Sequence, residues 1–215
     1  DENVPVFPGR FFRQTLVTTA HHANAGAGGV GENEVNWVTE QVAATMQLGT
    51  HLDVAKSLNL LGVLHTFQGN YVGTDVTGTV ARPNGHGIEV VGADNTIGGT
   101  TEAARNVISA NTFSNVRLDG DAASGNDVVG NYVGTTASGI GPLGGEGIVI
   151  TFAAHDNTIG GPLAGQRNVI SGNIGNAVEI TNNGTIGNVV EGNYIGLGAT
   201  GLGAVFNEGA GVEIV

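Results

Sequence analysis

The feature that most constrains this chain is that it repeats itself. Asn95-Thr-Ile-Gly-Gly returns as Asn157-Thr-Ile-Gly-Gly, and Arg105-Asn-Val-Ile-Ser returns as Arg167-Asn-Val-Ile-Ser, both 62 residues on. The Asn of Gly-Asn-Tyr-Val/Ile-Gly falls at 70, 131 and 193, steps of 61 and 62. Within that period Asn106-Val-Ile-Ser-Ala-Asn aligns with Asn126-Asp-Val-Val-Gly-Asn, and Asn168-Val-Ile-Ser-Gly-Asn with Asn188-Val-Val-Glu-Gly-Asn, each a step of 20. Together with Gly87-Ile-Glu-Val-Val, Gly147-Ile-Val-Ile and Gly211-Val-Glu-Ile-Val, these predict units starting at 87, 106, 126, 147, 168, 188 and 211, three to each long period. One further unit runs from Thr66 to His86.

Short β-branched stretches broken by Gly and Asn at this spacing predict an all-β solenoid whose coils stack strand on strand at about 4.8 Å. Composition agrees: 38 glycines and 12% charged residues accompany a 40% hydrophobic fraction, which suits neither a disordered chain nor a helical bundle. Ile, Val and Leu are expected inside. Asn accepts left-handed backbone conformations and its amide can bond backbone groups at a corner, so the recurring Asn residues read as ladders along the axis. The pattern resembles the parallel β-helix repeat of pectate-lyase-like and bacterial surface proteins over residues 66 to 215. That resemblance implies a right-handed parallel β-helix of about seven coils, an architecture that hosts lyases, hydrolases, adhesins and spacers alike.

Residues 1 to 62 read as a separate segment ahead of a β-helix spanning 63 to 215. His21-His22 opens a glycine-rich loop, and Asn33 is a candidate N-cap for a helix reaching Leu48, with Val35, Val38, Val42 and Met46 on one side and Gly49 as its stop. Such an α-helix would cap the open first coil. At the other end a second copy is expected to cover the last coil, giving a homodimer through a solenoid end.

One stretch of this segment has chemical content. Glu32 to Asp53, ending Gly49-Thr50-His51-Leu52-Asp53, resembles the approach to the metal site of the cyclase family, the metal-dependent hydrolases that include kynurenine formamidases. The resemblance covers residues 4 to 53 and implies that His51 and Asp53 bind a divalent cation, Zn or Mn. Gln47, Ala55 and Ser57 depart from that family's pattern, which has His, Pro and His at those positions. Two ligands leave a catalytic site short of the usual three, so His21 or His22 is the expected third, with His65, Glu40 or a second copy of the same pair across a dimer interface as further donors. The implied reaction is hydrolysis of a small ester, amide or phosphoester through a metal-activated water, with His51, Asp53 and His21 as the catalytic group.

A net charge of −12 disfavours nucleic acid and anionic lipid as partners. No run is long enough to cross a membrane, and the absence of cysteine removes thiolate and disulfide chemistry. The β-helix suggests secretion or the cell surface, the cyclase-like segment the cytoplasm. The rival to the hydrolase is a non-catalytic secreted or surface β-helix that binds carbohydrate or acts as a spacer. Its nearest approach to a carboxylate site is Asp119 and Asp121 with Arg117 and Asp127, where two Asp one residue apart on a strand would share a face. Asp75, Asp94 and Asp156 are turn residues without calcium-loop spacing. Tyr71, Tyr132 and Tyr194 recur together as either a packed ring row or a sugar platform.

Overall fold

A computed structural model describes two strands, Thr45–Met46 and Leu58–Leu60, and the continuous stretch 64–215. The strands are β1 (Thr45–Met46), β2 (Leu58–Leu60), β3 (Thr66–Phe67), β4 (Tyr71–Val72), β5 (Ile88–Val90), β6 (Thr96–Gly98), β7 (Val107–Ile108), β8 (Ser114–Asp119) and β9 (Asp127–Val129). They continue as β10 (Tyr132–Val133), β11 (Glu146–Thr151), β12 (Thr158–Gly160), β13 (Val169–Ile170), β14 (Val178–Ile180), β15 (Val189–Glu191), β16 (Tyr194–Ile195) and β17 (Val212–Ile214). All their pairings are parallel and fall into three sheets. The first runs β1-β3-β6-β9-β12-β15, the second β4-β7-β10-β13-β16 and the third β2-β5-β8-β11-β14-β17. The chain visits the sheets in turn, so five complete coils run from β3 to β17, preceded by β1 and β2.

Alternation within each strand decides what lies inside. Ile88 and Val90, Val116 and Leu118, and Ile148 and Ile150 point in from the third sheet with no exposed surface, and Ile97, Val128 and Ile159 do so from the first. Val72, Ile108, Val133 and Ile170 complete each layer from the second sheet. Each such side chain contributes about 1.5 to 3 kcal/mol when fully buried.

The corners between sheets are polar and, except at Asn188, Asn193 and Asn207 of the last coil, equally buried. Asn95, Asn126, Asn157 and Asn188 form one ladder, each backbone N–H and side-chain amide donating to the Oδ1 of the Asn 31 residues on. Asn70, Asn106, Asn131, Asn168 and Asn193 form the second. The third is Asn84, Asn111, Asn115, Asn173 and Asn207. Asn115 is the irregular member: the coil of β10 and β11 carries Gly144-Gly145 at this corner, and the Asn115 amide reaches across, donating to Gly144 O at 3.1 Å and Asn173 Oδ1 at 3.0 Å. A Cβ on Gly145 would lie 2.6 Å from Asn115 Oδ1, so glycine there is what admits the substitute.

The parallel solenoid expected from the repeat is therefore present, but its unit is different. The ladder step of 31 residues makes the long period two coils rather than three, and the count among the described residues five rather than seven. The two coils differ in where they bulge. In one, a hairpin such as that bridged at Thr74 and Ala81 joins the second sheet to the third; in the other, a 3-10 turn, Glu102–Ala104 or Ala164–Gln166, joins the first to the second. The 20-residue steps linked Asn106, which precedes β7 in the second sheet, to Asn126, which precedes β9 in the first.

The expected capping helix lies outside the described residues except at Thr45 and Met46. There the backbone is a strand, paired with Thr66 and Phe67, so the helix does not extend to Leu48. A parallel sheet edge offers these residues hydrogen-bond partners that an isolated helical last turn lacks.

Candidate functional site

The three sheets present very different outer faces. On the third, the residues between the inward-facing pairs line up one per coil in the order Glu89, Arg117, Val149, Glu179 and Glu213. Arg117 organises the first half of this row. Its Nη2 lies 2.8 Å from Asp119 Oδ1 and its Nε 3.8 Å from Glu89 Oε1, while its guanidinium stands 5.6 Å from the centre of the Phe152 ring. Asn176 organises the second half, its Nδ2 donating to Glu179 Oε2 at 3.1 Å and to Glu213 Oε2 at 2.6 Å.

At the edge of this row Glu146 begins β11. Partial burial and the like charge of Glu179 push its carboxyl above the usual range, against the opposing influence of Arg117. His86 lies near the same charges, its Nδ1 2.7 Å from Ser114 Oγ and its ring 5.2 Å from that of Phe113. Burial first, then Arg117, push its pKa down, with Glu89 and Asp119 opposing. Large apolar side chains border the row: Phe113 and Phe152 are each 57% exposed and Ile174 61%. An aromatic edge beside fixed carboxylates can stack on an apolar ring face while accepting hydrogen bonds from its hydroxyls.

The second sheet has the opposite character. Tyr71, Val107, Tyr132, Val169 and Tyr194 alternate along its outer face. The hairpins bridged at Thr74 and Ala81, Thr135 and Pro142, and Leu197 and Ala204 fold back beside them and bond to one another, Ala137 N to Gly78 O and Ala199 N to Gly139 O, both at 2.9 Å. Gly139 has a φ of +69° and a Cβ there would meet the Tyr132 ring at 2.7 Å, so only glycine lets the hairpin close so tightly. Arg105 and Arg167 cover the rings from the other side, 4.2 Å above Tyr132 and 4.3 Å above Tyr194. These tyrosines are packing rather than platform, spaced by valines, and the equivalent arginines make the same structural contact two coils apart.

The sequence candidates fare unevenly. The expectation that Asp119 and Asp121 share a strand face fails, because β8 ends at Asp119 and Gly120, at φ +85°, turns the chain before Asp121. Arg117 and Asp119 share a face, and Asp127 lies in the first sheet, where partial burial raises its pKa. Asp121 is exposed and faces His155, 4.0 Å from its Nε2. His155 bonds Asp156 through Nδ1 at 2.9 Å, which raises its pKa. Asp75 closes its own hairpin, accepting from Thr77 Oγ1 and from the N–H groups of Thr79 and Val80; the Val80 bond is the chief reason its pKa falls. Ser109 and Ser171 donate to backbone carbonyls of the next coil, Thr135 O and Leu197 O.

His21, His22, Glu40, His51 and Asp53 lie outside the described residues. His65 continues the first Asn ladder by one coil, its N–H donating to Asn95 Oδ1 at 3.0 Å. Among the described residues no group of three or more His, Asp or Glu side chains is spaced to hold a metal ion. The strand register adds a relation the sequence concealed. With Thr45 opposite Thr66 and Met46 opposite Phe67, the order Thr-Met-Gln-Leu-Gly-Thr-His-Leu from Thr45 parallels Thr-Phe-Gln-Gly-Asn-Tyr-Val from Thr66, with one extra residue. The stretch that resembles a cyclase motif thus also has the residue order of the solenoid repeat.

Compared with known proteins, the chain matches no family model, no curated protein and no solved structure.

Proposed function

We propose that the outer face of the third sheet binds a neutral polysaccharide and that the chain is a non-catalytic secreted or surface β-helix. One observation carries this reading: the row Glu89, Arg117, Val149, Glu179 and Glu213, one residue per coil, bordered by exposed Phe113, Phe152 and Ile174. A rod that presents one outward residue per coil, with carboxylates at Glu89, Glu179 and Glu213, suits a polymer with its own repeat better than a small molecule. The net charge of −12 favours neutral over anionic chains. Affinity electrophoresis against neutral glucans and xylans, with pectate and alginate as anionic controls, tests it. Retardation by a neutral polymer that weakens roughly 2- to 10-fold in Phe152→Ala, the equivalent of about 0.5 to 1.5 kcal/mol of ring contact, is the expected result. Equal mobility in all gels, or retardation that Phe152→Ala and Glu179→Gln leave unchanged, rejects it.

A metal-dependent hydrolase is the second reading, favoured by Gly49-Thr50-His51-Leu52-Asp53 alone. His51, Asp53 and one of His21 or His22 would hold the cation, whose chemistry would be the activation of water. Metal content of protein purified without chelator, with ester and phosphotriester assays of wild type and His51→Ala, tests it. Metal-free protein with the same trace activity in the variant ends that reading.

The same proposal takes the coil as right-handed, the hand adopted by about 98% of crossovers between parallel strands. It also retains the homodimer through a solenoid end. A monomer in light scattering at high concentration would remove the dimer from it.

A further inference from the structure

The sequence contains two Asn-Gly pairs, Asn84-Gly85 and Asn183-Gly184. Asparagine followed by glycine is the most readily cyclised arrangement of this side chain, because no Cβ hinders the attack of the next backbone nitrogen on the amide carbon. Whether it reacts depends on what holds the amide and the backbone around it. The structure holds the two in opposite ways.

Asn84 is 5% exposed and belongs to the third ladder. Its N–H and its Nδ2 both donate to Asn111 Oδ1 at 3.1 Å, and its own carbonyl accepts from Thr112 N at 2.9 Å. Gly85 O accepts from Phe113 N at 2.9 Å, so the backbone on both sides of the reactive bond is pinned to the next coil. Asn183 occupies an exposed turn between β14 and β15, followed by exposed Gly184 at φ +86°. The bonds that secure this turn belong to its neighbours: Asn182 Nδ2 donates to Thr151 Oγ1 at 2.6 Å, and Thr185 Oγ1 donates to Thr181 O at 2.8 Å and accepts from Ala153 N at 3.1 Å. None of them engages the Asn183 amide.

We infer that Asn183 is a site of spontaneous covalent modification, converting to aspartate and isoaspartate in the folded protein while Asn84 is protected. The Gly184 nitrogen bonds to Asn183 Cγ and loses its proton as the side-chain amide leaves as ammonia, closing a five-membered succinimide. Solvent water then opens either carbonyl of the ring, restoring the chain as aspartate or rerouting it through the side chain as isoaspartate. Both products carry a new carboxylate and take the net charge from −12 to −13. The site adjoins the bordered face, since a Cβ at Gly184 would lie 3.0 Å from that of Ala153, the residue after Phe152. The modification does not depend on any ligand there.

Peptide mapping by mass spectrometry after incubation of the full chain at 37 °C and mildly alkaline pH tests the inference, with fragmentation that separates aspartate from isoaspartate. In native protein the Asn183 peptide is expected to gain one mass unit at least about tenfold faster than the Asn84 peptide, because Asn84 reacts only through local opening. In protein unfolded by urea the two are expected to convert at similar rates. Asn183→Gln removes the fast conversion without changing the Asn84 peptide. A native protein in which Asn183 stays intact while the unfolded chain reacts, or in which Asn84 converts as fast, overturns it.

Discussion

The outer faces of the second and third sheets start from the same geometry and end in different roles. Both carry one outward residue per coil at parallel register, yet the second shows Tyr and Val in alternation and the third shows Glu, Arg, Val, Glu and Glu. The apolar row is covered by the chain's own hairpins and leaves Tyr132 9% exposed; the charged row, apart from Val149 at 6%, is left open by the described residues between exposed aromatic side chains. The difference teaches that the hairpins are what turn one face into core. A face that the described residues leave uncovered is the face available to something else.

The largest test removes whole coils. Hairpins arise from alternate coils, so the cover over the tyrosines has a two-coil period. Excising 96–157 joins the coil ending at Asn95 to one beginning at Thr158, which carries the 3-10 turn and Val169, like the coil it replaces. Excising only 96–126 sets two hairpin coils directly against each other and puts Tyr71 opposite Tyr132. The first deletion is expected to melt cooperatively by circular dichroism; the second is expected to lose the folded transition. Equal stability of both would mean that the hairpin layer contributes little to the difference between the faces.

A single ring gives the next largest effect. Tyr132→Ala strips the buried side chain between Val107 and Val169 and removes the ring under Arg105, with an expected loss of about 3 to 5 kcal/mol in urea unfolding. Arg117→Ala on the open face breaks contacts with Asp119, Glu89 and Phe152 that are partly solvated, and about 1 kcal/mol or less is expected. Comparable losses would erase the distinction between packed and presenting faces.

How much of this was readable beforehand follows from the same comparison. The 62-residue period, the parallel solenoid and the Asn ladders were legible because each is written in identities that recur. The coil length was not, because Asn before a β-branched pair serves two different corners: Asn106 and Asn126 do the same local work in front of different sheets. Local chemistry repeats three times per coil, and only pairing partners tell the corners apart. Strand parity reads Asp119 and Asp121 as one face, which the end of β8 at Asp119 breaks, and the alignment of Glu89, Glu179 and Glu213 depends on register between coils. A signal was present: in Ile88-Glu-Val, Val178-Glu-Ile and Val212-Glu-Ile a carboxylate recurs between two inward-facing apolar residues.

The smallest test probes the charge of the open face. Glu146 has its carboxyl pushed up by partial burial and by Glu179, so the folded protein holds that proton more tightly than the unfolded chain does. A native state that binds more protons is stabilised at low pH and loses that stability as pH rises through the ordinary glutamate range toward the raised value. Glu146→Gln removes the proton exchange and the like-charge contact together. The variant is expected to melt higher than wild type at pH 7, to match it near pH 4, and so to flatten the fall between them. Differential scanning calorimetry at both values decides. A variant that is less stable at pH 7 would mean that the attraction of Arg117 outweighs burial and Glu179, and the open face would then be held together by its charges rather than merely presenting them.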